Sequence, residues 1–600
     1  MKKTIALFLA LLIMISTSSC SITEKELTVE EQIENVISGM TLEEKVGQLF
    51  IFSIPGKKIT PDVQNFLSKT RAGNIILYND NITDRQQTFD LNKALQQEII
   101  ANTQAPAFIA IDQEGGSVVR ATDGATYFTS AMAVAATNKP ENAETVGNYM
   151  GEELRNLGFN MNFAPDVDIN TNPANPVIGT RSYGDDFAKV VSFSEGMIKG
   201  IQAQQVLACA KHYPGHGGTS ADTHNGLVTI NKTIDELKSS DLIPFDWAIR
   251  NGVDGIMTAH ILYPNIHDTR EPATISDYFL KDLLRDEYGF QGLIVTDSVS
   301  MGAITNNYSI SDAAVAALDS GADMVVMGGA GTTDTTLQKQ LDAYNAVLQG
   351  IKNGSVSHAD IYDKVYRVLY YKHRYGLFEY INPTYEWADT PPTYKEDEHE
   401  AFADKIARES ITLVKDSKGL LPIENLEECV VVSDSNQISI DGKNTTAAQY
   451  LANLIGAKGY TYNLKKKTFD NEAVVQGVKG AKRVVILSRS AFFNESDASF
   501  IRRLMSANSN SIIISIASPY DNRVLNSSTY LCAYSGVPSS IRGIAAVLKG
   551  EYGVSGVLPV NLDAEIIITE TPDVEEESEA DTQPIEDTEE TEAMTENTEE

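Results

Sequence analysis

Residues 206–224 read V-L-A-C-A-K-H-Y-P-G-H-G-G-T-S-A-D-T-H. Five apolar residues end on Lys211 and His212, and a loop containing Pro and Gly then carries His216, Asp222 and His224. A short run that is apolar throughout fits a strand buried on both faces, not a half-exposed strand with alternating polarity. Seven further runs share this character, at 46–54, 73–77, 107–111, 161–164, 255–258, 292–295 and 322–327, and helix-like amphipathic segments separate them. Buried strands alternating with helices imply a parallel sheet. A doubly wound sheet would satisfy the alternation alone. The count of eight, with polar residues repeated at the strand ends, favours an α/β fold of the (β/α)8 TIM type, whose active site lies at the C-terminal ends of the strands. Asp112 ends the third run, Asp166 and Asp168 follow the fourth, Lys211 and His212 end the fifth, His260 follows the sixth and Asp297 ends the seventh.

A chain of 600 residues is too long for one core, so a second domain is expected. The barrel is assigned to 28–375, and residues 376–400, rich in Pro, Asp, Glu and Tyr without apolar periodicity, read as a linker. Apolar runs at 429–433, 484–487, 511–516, 530–533 and 556–560, with helical segments between them, suggest a three-layer α/β sandwich over 401–563.

The net charge of −34 argues against nucleic-acid binding. Much of it is local: residues 571–600 hold 14 acidic residues and no Lys or Arg. Residues 564–600 therefore read as a disordered acidic tail. At the other end, Lys2 and Lys3 precede an apolar run over 5–15 and then Ser16-Thr17-Ser18-Ser19-Cys20. The run is too short to span a bilayer, which takes about 20 residues. Residues 1–20 resemble a bacterial lipoprotein signal, cleaved before Cys20 and lipidated on its thiol. An ordinary secretory signal is the alternative, and either exports the chain. Membrane contact is expected through the lipid anchor alone. Cys209, Cys429 and Cys532 lie in apolar runs and are expected as buried thiols.

An Asp two residues before a His can orient the imidazole and raise its proton affinity, so Asp222 and His224 form a candidate acid–base pair. Zinc ligation by His212, His216, Asp222 and His224 is the weaker alternative, because the loop supplies no rigid ligand frame. Four segments together resemble the bacterial β-N-acetylglucosaminidases of glycoside hydrolase family 3. They are Lys211 through His224 (the family's K-H-F-P-G-H-G…D-x-H), D-Q-E-G-G from Asp112, the loop from Asn175-Pro176 to Arg181-Ser182-Tyr183, and Val295 through Met301. Residues 407–410 and 421–422 also resemble the opening of the family's C-terminal domain. The resemblance implies a retaining β-N-acetylhexosaminidase. Asp297 would be the nucleophile, His224 the acid–base group and Asp222 its partner, with Asp112, Arg181, Lys211 and His212 binding the sugar. Asp166 is expected to pair with Arg181 or Lys211, and His260 to support the site from the core. Ser298, where Trp is common in the family's β-glucosidases, favours the N-acetylglucosaminidase branch. No metal and no organic cofactor is implied. The partner is an N-acetylglucosamine-containing glycan, with peptidoglycan fragments as the expected source; oligomeric state is left open. N-acetylglucosamine phosphorylase, β-glucosidase and a non-catalytic cell-wall-binding lipoprotein remain as alternatives.

Overall fold

The computed structural model describes residues 27–122, 124–266, 271–328, 336–440 and 442–569. Cys20, the proposed signal and residues 570–600 lie outside them. Eight strands form the first sheet: β1 (Phe50–Ser53), β2 (Asn74–Leu77), β3 (Phe108–Ile111), β4 (Met161–Asn162), β5 (Leu207–Tyr213), β6 (Gly255–Thr258), β7 (Leu293–Val295) and β8 (Val325–Val326). All neighbouring pairs are parallel, in the order β8-β1-β2-β3-β4-β5-β6-β7. A single parallel bridge, Val295 to Met324, brings β7 back to β8 and closes the barrel. Helices intervene between strands, for example Arg85–Thr103 after β2 and Phe187–Ala203 after β4. The expected (β/α)8 barrel is therefore present. Every residue of β2, β3 and β5 is buried, which is why these runs lack polar alternation.

The run at 46–54 is only half strand. Thr41 accepts from the Glu44 N–H and Glu44 reaches back to the Thr41 N–H. This capping box starts a helix over Leu42–Gly47, and the strand begins at Phe50.

The second domain holds a six-stranded sheet built from β9 (Thr412–Asp416), β10 (Cys429–Asp434), β11 (Lys458–Tyr462), β12 (Arg483–Ser488), β13 (Ser511–Ser515) and β14 (Thr529–Cys532). The order is β9-β14-β13-β12-β10-β11, with only β9 antiparallel. Val430, Val432, Val484 and Ile486 face one core, with Phe500 and Leu504. Val431, Val485, Ile512 and Ile514 face the other, with Leu451 and Ile544. Helices thus cover both faces, as a three-layer α/β sandwich requires. Met132, Ala133 and Ala136 of the barrel helix Ala131–Ala136 join the first of these cores. Cys209, Cys429 and Cys532 are buried free thiols.

Three expectations need correction. Residues 556–560 are not a strand. They form an irregular segment between the domains, where the Val557 N–H donates to the Ala136 carbonyl at 2.8 Å and the Asp185 N–H to the Pro559 carbonyl at 3.3 Å. Helix Glu396–Ser410 starts inside the stretch read as linker. Residues 564–569, assigned by composition to the tail, are hydrogen-bonded to the barrel: the Ile567 N–H donates to Asn172 Oδ1 at 3.2 Å.

Candidate active site

The charged groups collect at the C-terminal ends of the barrel strands. Glu114, just past β3, is the hub. Arg181 grips it in bidentate fashion, Nε to Oε2 and Nη2 to Oε1, both at 2.9 Å. Lys211 Nζ lies 2.6 Å from Glu114 Oε1 and 2.9 Å from Asp112 Oδ1. Burial works to raise the Glu114 pKa, but the two cations outweigh it and hold the carboxyl below its usual range. Asp112 is held low in the same way, burial opposed chiefly by Lys211 and Arg120. Lys211 is raised: burial works against its charge, and Asp112 and Glu114 more than offset that. Lys211 spends two of its three donors on carboxylates, which leaves one for a substrate oxygen.

His212 links this cluster to the next strand end. Its Nδ1 is 2.8 Å from Asp168 Oδ2 and its Nε2 is 3.1 Å from Arg181 Nη2. A carboxylate only accepts and a guanidinium only donates, so the network assigns Nδ1–H and a bare Nε2. Burial first, and the neighbouring Arg181 and Lys211 charges next, push the His212 pKa well below normal and keep the ring neutral. Asp168 also accepts from the His216 N–H at 2.6 Å and the His212 N–H at 3.2 Å. Asp166 is raised well above the usual range by burial and by Asp168. Its Oδ2 has no hydrogen-bond partner among the described residues and sits 3.6 Å from Arg181 Nη2.

Among the described residues, Asp166, Asp168 and His212 are the one group with donor atoms close enough to share a cation. The Arg181 guanidinium already supplies the positive charge there. The zinc set weighed as the weaker alternative does not assemble, because His216 is turned to Thr223 and Thr219, each at 3.1 Å, while His224 bonds Asp222.

Asp297 follows β7, where the Ser298 N–H donates to its Oδ1 at 2.7 Å. Burial raises its pKa, but His260 and this N–H outweigh it, so the carboxylate stays ionised at neutral pH. His260 is buried, and its Nε2–H donates to the Ser298 carbonyl at 2.9 Å, fixing the backbone beside Asp297. Ser298 turns its hydroxyl away to the Gly328 carbonyl at 2.6 Å.

The Asp222–His224 pair lies on the open side, with side chains 35% and 63% exposed. Asp222 Oδ1 accepts from His224 Nδ1 at 2.7 Å and from the His224 N–H at 2.8 Å. The side-chain bond to Asp222 is the largest cause of a raised His224 pKa, and Asp297 adds to it. The loop docks on the segment after Asp297: the Gly302 N–H donates to the His224 carbonyl at 3.2 Å and the Ala303 N–H to the Thr223 carbonyl at 3.0 Å. Glycine is required at 302, since a Cβ there would meet the His224 carbonyl at 2.5 Å.

The structure thus brings Asp112, Arg181, Lys211 and His212 into one network, and docks the Asp222–His224 loop on the segment that follows Asp297. Arg181 pairs with Glu114, which the sequence reading passed over, and only Lys211 pairs closely with Asp112. The sole sequence signal for Glu114 was its place in D-Q-E-G-G. Removing Arg181 leaves Glu114 buried with Lys211 as its one close cation among the described residues. Breaking a buried pair costs about 3–5 kcal/mol. With Lys211 remaining, Arg181→Met should destabilise by about 3 kcal/mol, the low end of that range. Urea unfolding would measure it, and Glu114→Gln in the same background should recover part of the loss.

Residues 41–371 match the family model "Glycosyl hydrolase family 3 N terminal domain". The chain is 37% identical over 285 residues to beta-hexosaminidase A of Pseudoalteromonas piscicida, covering 45% of this chain and 48% of that one. It thus spans about half the length of that relative. A protein of Cellulomonas fimi named beta-N-acetylglucosaminidase/beta-glucosidase is 30% identical over 403 residues, covering 65% of this chain and 67% of its own. Among solved structures, a family 3 beta-N-acetylglucosaminidase from Paenibacillus sp. str. FPU-7 superposes with a TM-score of 0.81. It has 32% identity and covers 88% of this chain and 100% of that one. With more than half its length matched by the family model, the chain belongs to glycosyl hydrolase family 3.

Proposed function

We propose that this protein is an exported, retaining β-N-acetylhexosaminidase that removes terminal β-linked N-acetylglucosamine, with peptidoglycan fragments as its substrate. The Asp222–His224 pair, docked on the segment that follows Asp297, carries the reading. Because His224 Nδ1 is committed to Asp222, its Nε2 is the site of the transferable proton. Asp297 forms an ester bond to the anomeric carbon as the bond to the leaving oxygen breaks, and His224 protonates that oxygen. Water then attacks the anomeric carbon, His224 takes its proton, and Asp297 is released. The spare donor of Lys211 and the partly exposed Asp112 are suited to sugar hydroxyls, and Glu114 and His212 hold Arg181 in place beside them. The hexosaminidase names of the relatives support this substrate. The Cellulomonas relative's name also keeps β-glucoside cleavage as a second reading.

Export and anchoring rest on residues 1–20. No described helix is long and apolar enough to cross a membrane. The deciding assay compares kcat/KM on aryl β-N-acetylglucosaminide and aryl β-glucoside, with and without phosphate. A higher value on the N-acetylglucosaminide and no stimulation by phosphate are expected. A glucoside value equal or higher moves the protein to the second reading, and a sugar-1-phosphate product makes it a phosphorylase. In the same preparations, wild type should partition with membranes and Cys20→Ser should not; equal partition removes the lipid anchor.

A further inference from the structure

The acid–base pair needs a fixed position, yet little packing supplies one. His224 and Asp222 are among the more exposed groups of the site, and their loop contains Gly215, Gly217 and Gly218. Gly302 and Ala303 fix the far end of the loop. The near end, residues 218–222, is held from an unexpected direction.

After the second domain the chain crosses back over the barrel. The Asn561 N–H donates to Asp185 Oδ2 at 2.6 Å, and residues 567–569 run beside the catalytic loop. Buried Asn172 is the pivot. Its amide nitrogen donates to the carbonyls of Ile567 at 2.6 Å, Thr219 at 3.2 Å and Gly218 at 3.3 Å. Its Oδ1 accepts from the Ile567 N–H at 3.2 Å. Farther along, Ser220 and Thr569 bond reciprocally: the Ser220 N–H donates to Thr569 Oγ1 at 2.9 Å and the Thr569 N–H to Ser220 Oγ at 2.8 Å. Ser220 is two residues from Asp222. Burial does not hold this segment, because Ile566, Ile567 and Ile568 are 39%, 47% and 78% exposed. Its placement rests on hydrogen bonds that end on the catalytic loop.

We propose that residues 567–569 form a strap that positions the Asp222–His224 pair, with Asn172, Ser220 and Thr569 as positioning residues. The second domain thereby sets the efficiency of proton transfer in the barrel. The proposal rests on the acid–base role given above to His224. Loss of the strap bonds frees residues 218–222, so the imidazole spends less time aligned with the leaving oxygen. A hydrogen bond is worth about 0.5–1.5 kcal/mol net, so each lost clamp should cost about two- to tenfold.

The test uses the full chain. Ile567→Pro removes the N–H that Asn172 accepts, whereas Ile567→Ala keeps it. Thr569→Val removes the hydroxyl bonded to Ser220, whereas Thr569→Ser keeps it. For Ile567→Pro and Thr569→Val, kcat/KM on an alkyl β-N-acetylglucosaminide should fall about two- to tenfold more than on a dinitrophenyl one. Their alkaline limb should move to lower pH as the Asp222 bond to His224 loosens. Ile567→Ala and Thr569→Ser should keep the wild-type leaving-group dependence and pH limb. Equal losses on both substrates with an unmoved pH limb would make the strap merely structural and overturn the proposal, as would no loss in either variant. His224→Ala is the benchmark. If it shows no leaving-group dependence, the acid–base reading has failed; if it does and the strap variants do not, only the strap has failed.

Discussion

Asp297→Ala is expected to fold normally and to lose turnover by on the order of 10⁴-fold or more, the scale seen when a covalent nucleophile is removed. The fold should survive because Asp297 holds little of the structure together. It follows β7, accepts one backbone N–H from Ser298 and, among the described residues, makes no ion pair within 4 Å. His260 continues to fix the Ser298 carbonyl without it. The loss of turnover should be large because, among the described residues, no other ionised carboxylate near that strand end is free to replace it. Asp112 and Glu114 are tied to Lys211 and Arg181, and Asp166 is pushed toward its neutral form. A 2-fluoro sugar with a good leaving group should form a stable adduct with wild type, and peptide mapping should place it on Asp297. An adduct on another residue, or a variant within tenfold of wild type, would remove Asp297 from the reaction. The low pKa of Asp297 also sets the acid limb of activity. Nucleophilic attack needs the carboxylate, so activity should fall only as pH drops through a value below the usual Asp range.

The barrel was legible because burial on both faces erases polar alternation, and runs such as Phe108–Ile111 announce this directly. The strands that escaped notice are those with weaker burial. Thr412–Asp416 alternates between buried and exposed positions, and Lys458–Tyr462 has one buried residue, Tyr462; both are sheet edges. Conversely, 556–560 reads as a strand because it is apolar, but it packs between domains and pairs with no sheet. At the site, residue types within one loop were readable. Partnerships across the chain were not: Arg181 and Glu114 are 67 positions apart, and nothing local marks Glu114 as the hub. The strap was the least legible part. Ile567 and Asn172 are 395 positions apart, and the strap's neighbours are acidic residues that suggest solvent.

His224→Ala should lose about 10²–10⁴-fold in kcat/KM on substrates with poor leaving groups, the range typical of general acid–base catalysis. The loss should be far smaller with an activated aryl leaving group, whose oxygen departs with little help. With such a substrate, release of the sugar from Asp297 becomes the slow step, and azide should accelerate it in the variant because azide needs no base. Asp222→Asn separates the two functions of the pair. An amide can still accept from Nδ1–H, but it lacks the charge that favours imidazolium. The first step needs His224 protonated, so activity falls as pH rises through its pKa. The wild-type pKa is raised chiefly by the bond to Asp222, which places the alkaline limb above the ordinary histidine value. The same bond contributes stability below that ordinary value, and the contribution is lost as pH rises through the raised one. In Asp222→Asn the alkaline limb should therefore move to lower pH, with a smaller loss at acid pH than at neutral pH. Equal losses for His224→Ala on both leaving-group classes would exclude His224 as the acid. An unmoved alkaline limb in Asp222→Asn would show that the 2.7 Å bond does not govern the titration that activity reports.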